Sequence, residues 1–458
     1  MNIDSILFIG GFLPVILLLH TVIPGLRGKN WLLLAAGLVF YSFGSLQGLL
    51  LLLIAALVNY LLGLRAEKKW ARTAGIVLNL AFLGAYKYLN FLLGEVLHLP
   101  GTELELIAPI GISFFTFRAM SYLIDVSRSV ETKCRSFPDF LLYLSFFPQV
   151  MAGPIMRYDR FAAQLRSREV SQVRTAQGLC RFTVGLSKKL LLSSTLGAVA
   201  DGVFSVPTLT DARLAWLGAA AYMLQIYFDF SGYSDMAIGL SGVFGFDTEE
   251  NFLYPYTART LGDFCRRWHI SLSSWFRDYV YIPLGGNRNG MLRAGLNKLV
   301  VFALCGVWHG ASWTFLVWGL WHGLLSALES INVIPAKRLQ KTKVLGRLYT
   351  LFAVCLGFVM FRAGSVEQGL AVIKAMFTGF AFTLESTVTL YTLLNAETVL
   401  TLAVGAAAAV PVLPRLKALK EEKPAWEAVQ YALVTVLLVL SLIKLASTGF
   451  TPFIYAQF

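Results

Sequence analysis

The chain has 458 residues, of which 57% are apolar, 14% aromatic and only 14% charged, with a formal charge of +13. That composition describes an all-α polytopic membrane protein and excludes a soluble globular one. The Lys and Arg residues are dispersed between apolar runs and build no solvated basic domain, which excludes a nucleic-acid-binding role.

In chain order, Ile6–Ile23, Trp31–Leu46, Leu49–Leu64, Thr73–Leu93 and Leu106–Val126 are candidate spans, several short enough to need tilt or partial insertion. The first has no charged segment before it and no small-residue cleavage site after it, so it reads as a retained span. The turns after the first, third and fifth carry Arg27 and Lys29, then Arg65, Lys68, Lys69 and Arg72, then Arg128, Lys133 and Arg135. The connections between them, Gly44–Gly48 and Gly94–Glu105, hold no Lys or Arg. The basic turns are therefore expected on the cytoplasmic side and the N-terminus outside.

From Pro138 onward the alternation breaks at Phe147–Tyr158, at Lys188-Lys189 and over the polar-aromatic stretch Tyr227–Arg293. Irregular backbone at membrane depth is stable only where protein buries it or a cavity hydrates it, which predicts re-entrant or interfacial helices in a packed centre. Regular hydrophobicity resumes with Leu299–Leu328, Leu348–Phe361, Thr389–Val410 and Ala428–Leu445. The expectation is about eleven membrane helices in one domain over 1–458, with regular spans in 1–126, a central catalytic region in 138–330 and further spans in 348–458. The five cysteines are scattered, without the close spacing of metal sites or disulfide frameworks, so no metal site is expected.

His309 lies half-way along the apolar run Leu299–Leu328. An ionisable group inside a membrane-length segment usually faces a bundle interior or a reaction site. A helix rising from the basic turn near Lys298 would carry His309 towards the bilayer midplane. His322 repeats the local Trp-His-Gly string. Thirteen residues along one continuous helix rotate it by about 220°, onto another face, so it reads as a packing residue.

The segment Thr260–Leu284 is too polar to span. The spacing of Trp268, Trp275, Phe276 and Tyr279 is compatible with one helix at the membrane surface, on the cytoplasmic side and near His269. Arg266, Arg267 and Arg277, with Arg288, suit the phosphates of a donor molecule. The competing reading is that they snorkel at the interface. Asp229 and Asp235, six residues apart in YFDFSGYSD, invite an acid/base role or a supporting role as partners of buried cations.

The strings RRWHISLSSWFRDYVYIPLGGNR (Arg266–Arg288) and GVWHGASWTFLVWGLWHG (Gly306–Gly323) resemble the membrane-bound O-acyltransferase family. APIGISFFTFRAMSYLIDV (Ala108–Val126), FFPQVMAGPIMRY (Phe146–Tyr158), YFDFSGYSDMAIGL (Tyr227–Leu240), FRAGS (Phe361–Ser365) and TPFIYAQF (Thr451–Phe458) are similar to its bacterial branch acting in alginate O-acetylation. The resemblance implies a helical membrane fold around a central tunnel, with His309 and His269 as catalytic residues. Trp268, Ser271, Trp275, Asp278 and Trp308 join the arginines as candidates for binding donor or substrate, with Asp229 and Asp235 in support.

It further implies an acyl group, expected to be acetyl, taken from a cytoplasmic thioester such as acetyl-coenzyme A or an acyl carrier. The group passes across the bacterial cytoplasmic membrane towards the hydroxyls of an extracytoplasmic polysaccharide, directly or through an SGNH-type acetyltransferase partner. A neutral imidazole near its ordinary pKa suits general-base work on such a hydroxyl. Two alternatives stay open: D-alanyl transfer to teichoic acid, and a proton-coupled transporter or flippase using His309, Asp229 and Asp235 as a relay. Against the transporter, the sequence has no inverted half-repeat.

Overall fold

The computed structural model describes residues 1–99, 104, 106, 108–206, 209–412, 424–448 and 454. Residues 100–103 and 105 of the expected loop Gly94–Glu105, and all of the terminal string Thr451–Phe458 except Ile454, lie outside them. Regular structure among the described residues is helical, apart from one isolated bridge between Asp211 and Phe380. The helices are α1 (Leu13–Val22), α2 (Gly25–Ser42), α3 (Leu46–Gly63), α4 (Lys69–Phe91), α5 (Ile112–Arg128), α6 (Phe137–Ser145), α7 (Tyr158–Ser167), α8 (Gln172–Ser187), α9 (Ser194–Phe204) and α10 (Ala212–Val243). They continue as α11 (Leu261–Cys265), α12 (Ile270–Phe276), α13 (Gly290–His309), α14 (Trp313–Ser330), α15 (Ala336–Lys341), α16 (Lys343–Arg362), α17 (Val366–Thr378), α18 (Leu384–Leu393), α19 (Ala396–Ala408) and α20 (Pro424–Thr448).

Among the described residues, five helical segments are long and apolar enough to cross a membrane: Leu46–Gly63, Lys69–Val96, Gly290–His309, Lys343–Arg362 and Trp426–Ser447. The pair α18 and α19, bent by 63°, makes a sixth if it is one span. Other apolar runs are shorter helices, such as Phe8–Val22, or carry charge into the interior, as α5 does with Arg118.

Two departures from the sequence expectation concern continuity. The interruption expected over Tyr227–Arg293 begins only after Val243, because α10 runs unbroken for 32 residues through YFDFSGYSDMAIGL, and from there to Gly290 the chain is irregular with short helical pieces. Its two carboxylates, Asp229 and Asp235, sit within α10, paired with Lys189 and Arg181, rather than in a turn. The run Leu299–Leu328 does break, between α13 and α14, so it forms a helical hairpin and not one span.

The residues cluster into two compact units. In the unit formed by Met1–Thr183 and Tyr233–Glu250, interlocked rings of Phe8, Phe40, Phe147 and Phe244 fill the interior. The irregular stretch between α6 and α7 is held by the fully buried Arg118. Its guanidinium donates to the carbonyls of Tyr143 (3.1 Å) and Gln149 (3.1 Å) and to Gln149 Oε1 (3.0 Å). Gln149 Nε2 in turn donates to Ser241 Oγ and Thr248 Oγ1, both at 3.1 Å. Backbone groups freed by the loss of helix are thus paired with protein, which is what allows the irregular run to be buried.

In the unit formed by Val184–Gly232 and Asn251–Ile454, α13 and α14 pack so closely that a Cβ on Gly306 would lie 2.4 Å from Phe315 O. Small residues at that crossing let the hairpin close. Beside it, Phe204, Ala215, Ala219, Val359, Val372 and Met376 form an apolar core. Lys189, in a π-helical turn over Lys188–Ser193, makes a buried ion pair with Asp229 at 2.8 Å.

Candidate active site

His309 is the last residue of α13, followed by Gly310 in extended conformation and by Ser312, whose Oγ accepts the Thr314 N–H at 3.3 Å and caps α14. The Gly-Ala-Ser after the first Trp-His-Gly is therefore the turn that reverses the chain. Because α13 starts at Gly290, nine residues before Leu299, His309 lies about 29 Å along its helix at 1.5 Å per residue. A helix starting near Lys298, as the sequence suggested, would have placed it closer to its entry point.

The imidazole of His309 is buried within an aromatic box. Its ring meets Trp308 (5.0 Å), Trp318 (5.0 Å) and Phe361 (5.2 Å) edge to face. Trp308 in turn lies 6.2 Å from the ring of His269, and Phe230 covers His269 at 4.6 Å. The two histidines so far apart in sequence are joined through Trp308.

His269 does not lie on a surface helix. The chain from Thr260 to Leu284 folds into α11, α12 and a π-helical turn at Arg277–Tyr281, and His269 interrupts it with φ +44°, in the left-handed region. A non-glycine residue there is uncommon and raises the question of function. As the N-cap of α12, His269 accepts the Leu272 N–H on Nδ1 at 3.4 Å. An imidazole that accepts on Nδ1 while neutral carries its proton on Nε2. Burial holds it neutral, lowering its pKa from the ordinary 6.5 to about 3. His269 is thus a neutral hydrogen-bond donor through Nε2.

The other sequence candidates divide clearly. Trp268 is buried among Phe252 (5.1 Å), Phe264 (5.5 Å) and Phe358 (5.2 Å). Ser271 donates its hydroxyl to Asn251 Oδ1 at 3.0 Å, and Trp275 packs on Tyr279 at 5.1 Å. Arg267 bonds Asp263 at 3.0 Å, and Arg266 stands 3.8 Å from the same carboxylate. Arg277 pairs with its neighbour Asp278 at 2.8 Å. Arg266 and Arg277 remain 65% and 61% exposed, so these pairs leave their guanidiniums accessible.

Each carboxylate of YFDFSGYSD has a cation of its own. Asp229 holds Lys189 and accepts the Ile454 N–H at 2.8 Å. Asp235 accepts from Arg181 Nε at 3.0 Å, and Arg181 also donates to Glu250 at 2.7 Å.

His322 bonds the Trp318 carbonyl through Nδ1 at 3.0 Å and packs so tightly on α16 that a Cβ at Gly357 would lie 2.2 Å from its Cε1. His309 and His322 are not set on opposite faces of one helix, as their spacing suggested, because α13 and α14 are separate helices. Trp318 touches both His309 and His322, at 5.0 and 4.9 Å, so the two rings share one neighbour.

Three contributors escaped the sequence reading. Trp318 presents a buried indole N–H that meets no protein acceptor among the described residues, beside His309. Phe361 is the aromatic wall of the box. Glu329 accepts the N–H groups of Leu261 (2.8 Å) and Gly262 (3.1 Å) and so anchors α11 to α14. A carboxylate at the end of an amphipathic helix reads as a solvated charge unless the helix start it caps is known to be near.

Residues 33–372 match the membrane-bound O-acyltransferase family, MBOAT. The chain belongs to that family. A probable alginate O-acetylase of Pseudomonas aeruginosa is 40% identical over 82% of this chain and 75% of its own length. A second, from Azotobacter vinelandii, is 36% identical over all of both chains. A peptidoglycan O-acetyltransferase of Helicobacter pylori is 35% identical over 81% of this chain and 78% of its own length. This MBOAT protein is an O-acyltransferase, and its apolar helices make it a multi-pass membrane protein.

Proposed function

We propose that this MBOAT enzyme transfers an acetyl group from a cytoplasmic thioester, acetyl-coenzyme A or an acyl carrier, towards hydroxyls of an extracytoplasmic polysaccharide. The observation that carries the chemistry is the buried series His309–Trp308–His269, which puts two imidazoles around one aromatic wall. His309 is the base. It takes the proton of the acceptor hydroxyl as that oxygen attacks the thioester carbonyl, and it returns the proton to the leaving thiolate. The C-terminal end of α13 turns its negative dipole towards the positive charge that develops on this ring.

His269, donating through Nε2, faces the opposite demand and hydrogen-bonds the tetrahedral oxyanion. Trp318 Nε1–H is a second donor for a polar group of the substrate. Arg266 and Arg277 receive donor phosphates. Acetyl is favoured over D-alanyl because the named relatives at 35–40% identity are O-acetyl-transfer proteins. The enzyme lies in the bacterial cytoplasmic membrane with its N-terminus outside. Shorter and bent helices bring the crossings to about eleven around a tunnel, and an SGNH-type partner completes transfer.

Mass spectrometry of envelope polymers from cells with and without this protein tests the reading. It predicts loss of acetyl units from the sugars. Loss of alanyl units, or no change, refutes it.

A further inference from the structure

The unit formed by Met1–Thr183 and Tyr233–Glu250 contains a cavity that the reaction does not use. Its volume is about 560 Å³, and it is lined by Arg27, Asn30 and Trp31 of α2, Ser136 and Asp139 at the start of α6, and Arg166 of α7. Two of the three basic turns meet here, since Arg27 stands in the first and Ser136 directly follows Arg135 of the third. Arginines gathered where basic turns meet the membrane surface suit anionic lipid headgroups.

The lining is chemically specific. Among the described residues, the guanidinium of neither Arg27 nor Arg166 forms an ion pair or hydrogen bond with protein. Two guanidiniums against the single carboxylate of Asp139 leave one positive charge, which one phosphodiester neutralises. Asn30 is fixed by donating Nδ2 to Leu165 O at 3.0 Å, while its buried Oδ1 accepts no hydrogen bond from the described residues. A buried acceptor in that condition calls for a donor. Trp31 is half exposed at the rim, where an amphipathic ring suits the boundary between headgroup and acyl chain.

We propose that this cavity binds an anionic phospholipid bearing headgroup hydroxyls, its phosphodiester on Arg27 and Arg166 and its hydroxyls donating to Asn30 Oδ1 and Asp139. The site holds a structural lipid, separate from the acyl donor. Phosphate is the shared chemistry of a lipid headgroup and a soluble phosphate, and the arms of the test separate them.

The full chain, purified in detergent, is analysed by native mass spectrometry with phosphatidylglycerol, with phosphatidylcholine, and with phosphatidylglycerol plus inorganic phosphate. The wild type retains phosphatidylglycerol, does not retain phosphatidylcholine, and is not stripped by inorganic phosphate. R27Q/R166Q weakens retention about 30-fold, at roughly one kilocalorie per cation, and R27K/R166K restores most of it. If the double variant is not recovered folded, R27Q and R166Q singly each weaken retention about fivefold. Unchanged retention in the Gln variants, equal retention of phosphatidylcholine, or displacement by inorganic phosphate overturns the proposal.

Discussion

The Lys189–Asp229 pair is the most exposed point of the structural account to attack by mutation. Both side chains are nearly inaccessible, at 2% and 4%, and their atoms meet at 2.8 Å. The replacement Lys189→Met keeps the length of the side chain and removes its charge. It leaves Asp229 buried, with the Ile454 N–H as a remaining donor. Removing one partner of a buried ion pair costs about 3–5 kcal/mol, because the remaining charge loses its partner without regaining water. Asp229→Asn alone takes the carboxylate from the buried ammonium at a similar cost of about 3–5 kcal/mol.

The double variant Lys189→Met/Asp229→Asn leaves no uncompensated charge and recovers most of the loss, giving a coupling energy of several kcal/mol by double-mutant cycle. Thermal unfolding of the purified protein in detergent, followed by intrinsic fluorescence, measures the cycle. Because Asp229 precedes Phe230, which covers His269 at 4.6 Å, each single variant also lowers activity in the folded fraction. Additive single effects, with no recovery in the double variant, would refute the claim that the pair acts as a neutral unit.

Three further outcomes follow from the same geometry. His269→Ala lowers kcat about 10²–10³-fold, the range for loss of one oxyanion donor, while His269→Gln retains more activity; equal loss in both, measured by steady-state kinetics, argues for packing instead. Arg118→Met leaves the carbonyls of Tyr143 and Gln149 without their donor and destabilises by at least ~3 kcal/mol, read as a fall in midpoint temperature, with a smaller fall for Arg118→Lys. For pH, the folded protein holds His269 neutral with a pKa near 3 against 6.5 unfolded, so its contribution to stability is complete above 6.5 and declines as pH falls towards 3. His269→Gln therefore flattens the loss of stability in that acid window, and an unchanged slope in a pH series of unfolding midpoints counts against a buried neutral ring.

Much of the architecture is legible in the chain because its causes are local. Helix α6 ends at Ser145 and α7 begins at Tyr158, bracketing the irregular FPQVMAGP that the sequence marks as an interruption. The breaks that escape detection have nonlocal causes. Hydropathy averages over Gly310-Ala311-Ser312 and so reads a hairpin as one span. The polar residues of α10 look like a break until Lys189 and Arg181 are seen to pair with them. His269 at positive φ leaves no trace in aromatic spacing, which is why α11 and α12 read as one surface helix. Trp318 and Phe361 look like ordinary apolar positions because their relation to His309 arises only when the hairpin closes on α16.

The central claim is that His309 is the base of acyl transfer. The direct measurement is acyl transfer by purified His309→Gln protein in proteoliposomes, with isotope-labelled thioester donor and a hydroxyl acceptor, beside a wild type of matched folding and donor binding. The account predicts donor binding near the wild-type level and a loss of transfer of at least about 10²-fold, the lower bound for removal of a general base. Transfer at the wild-type rate by His309→Gln protein would contradict it.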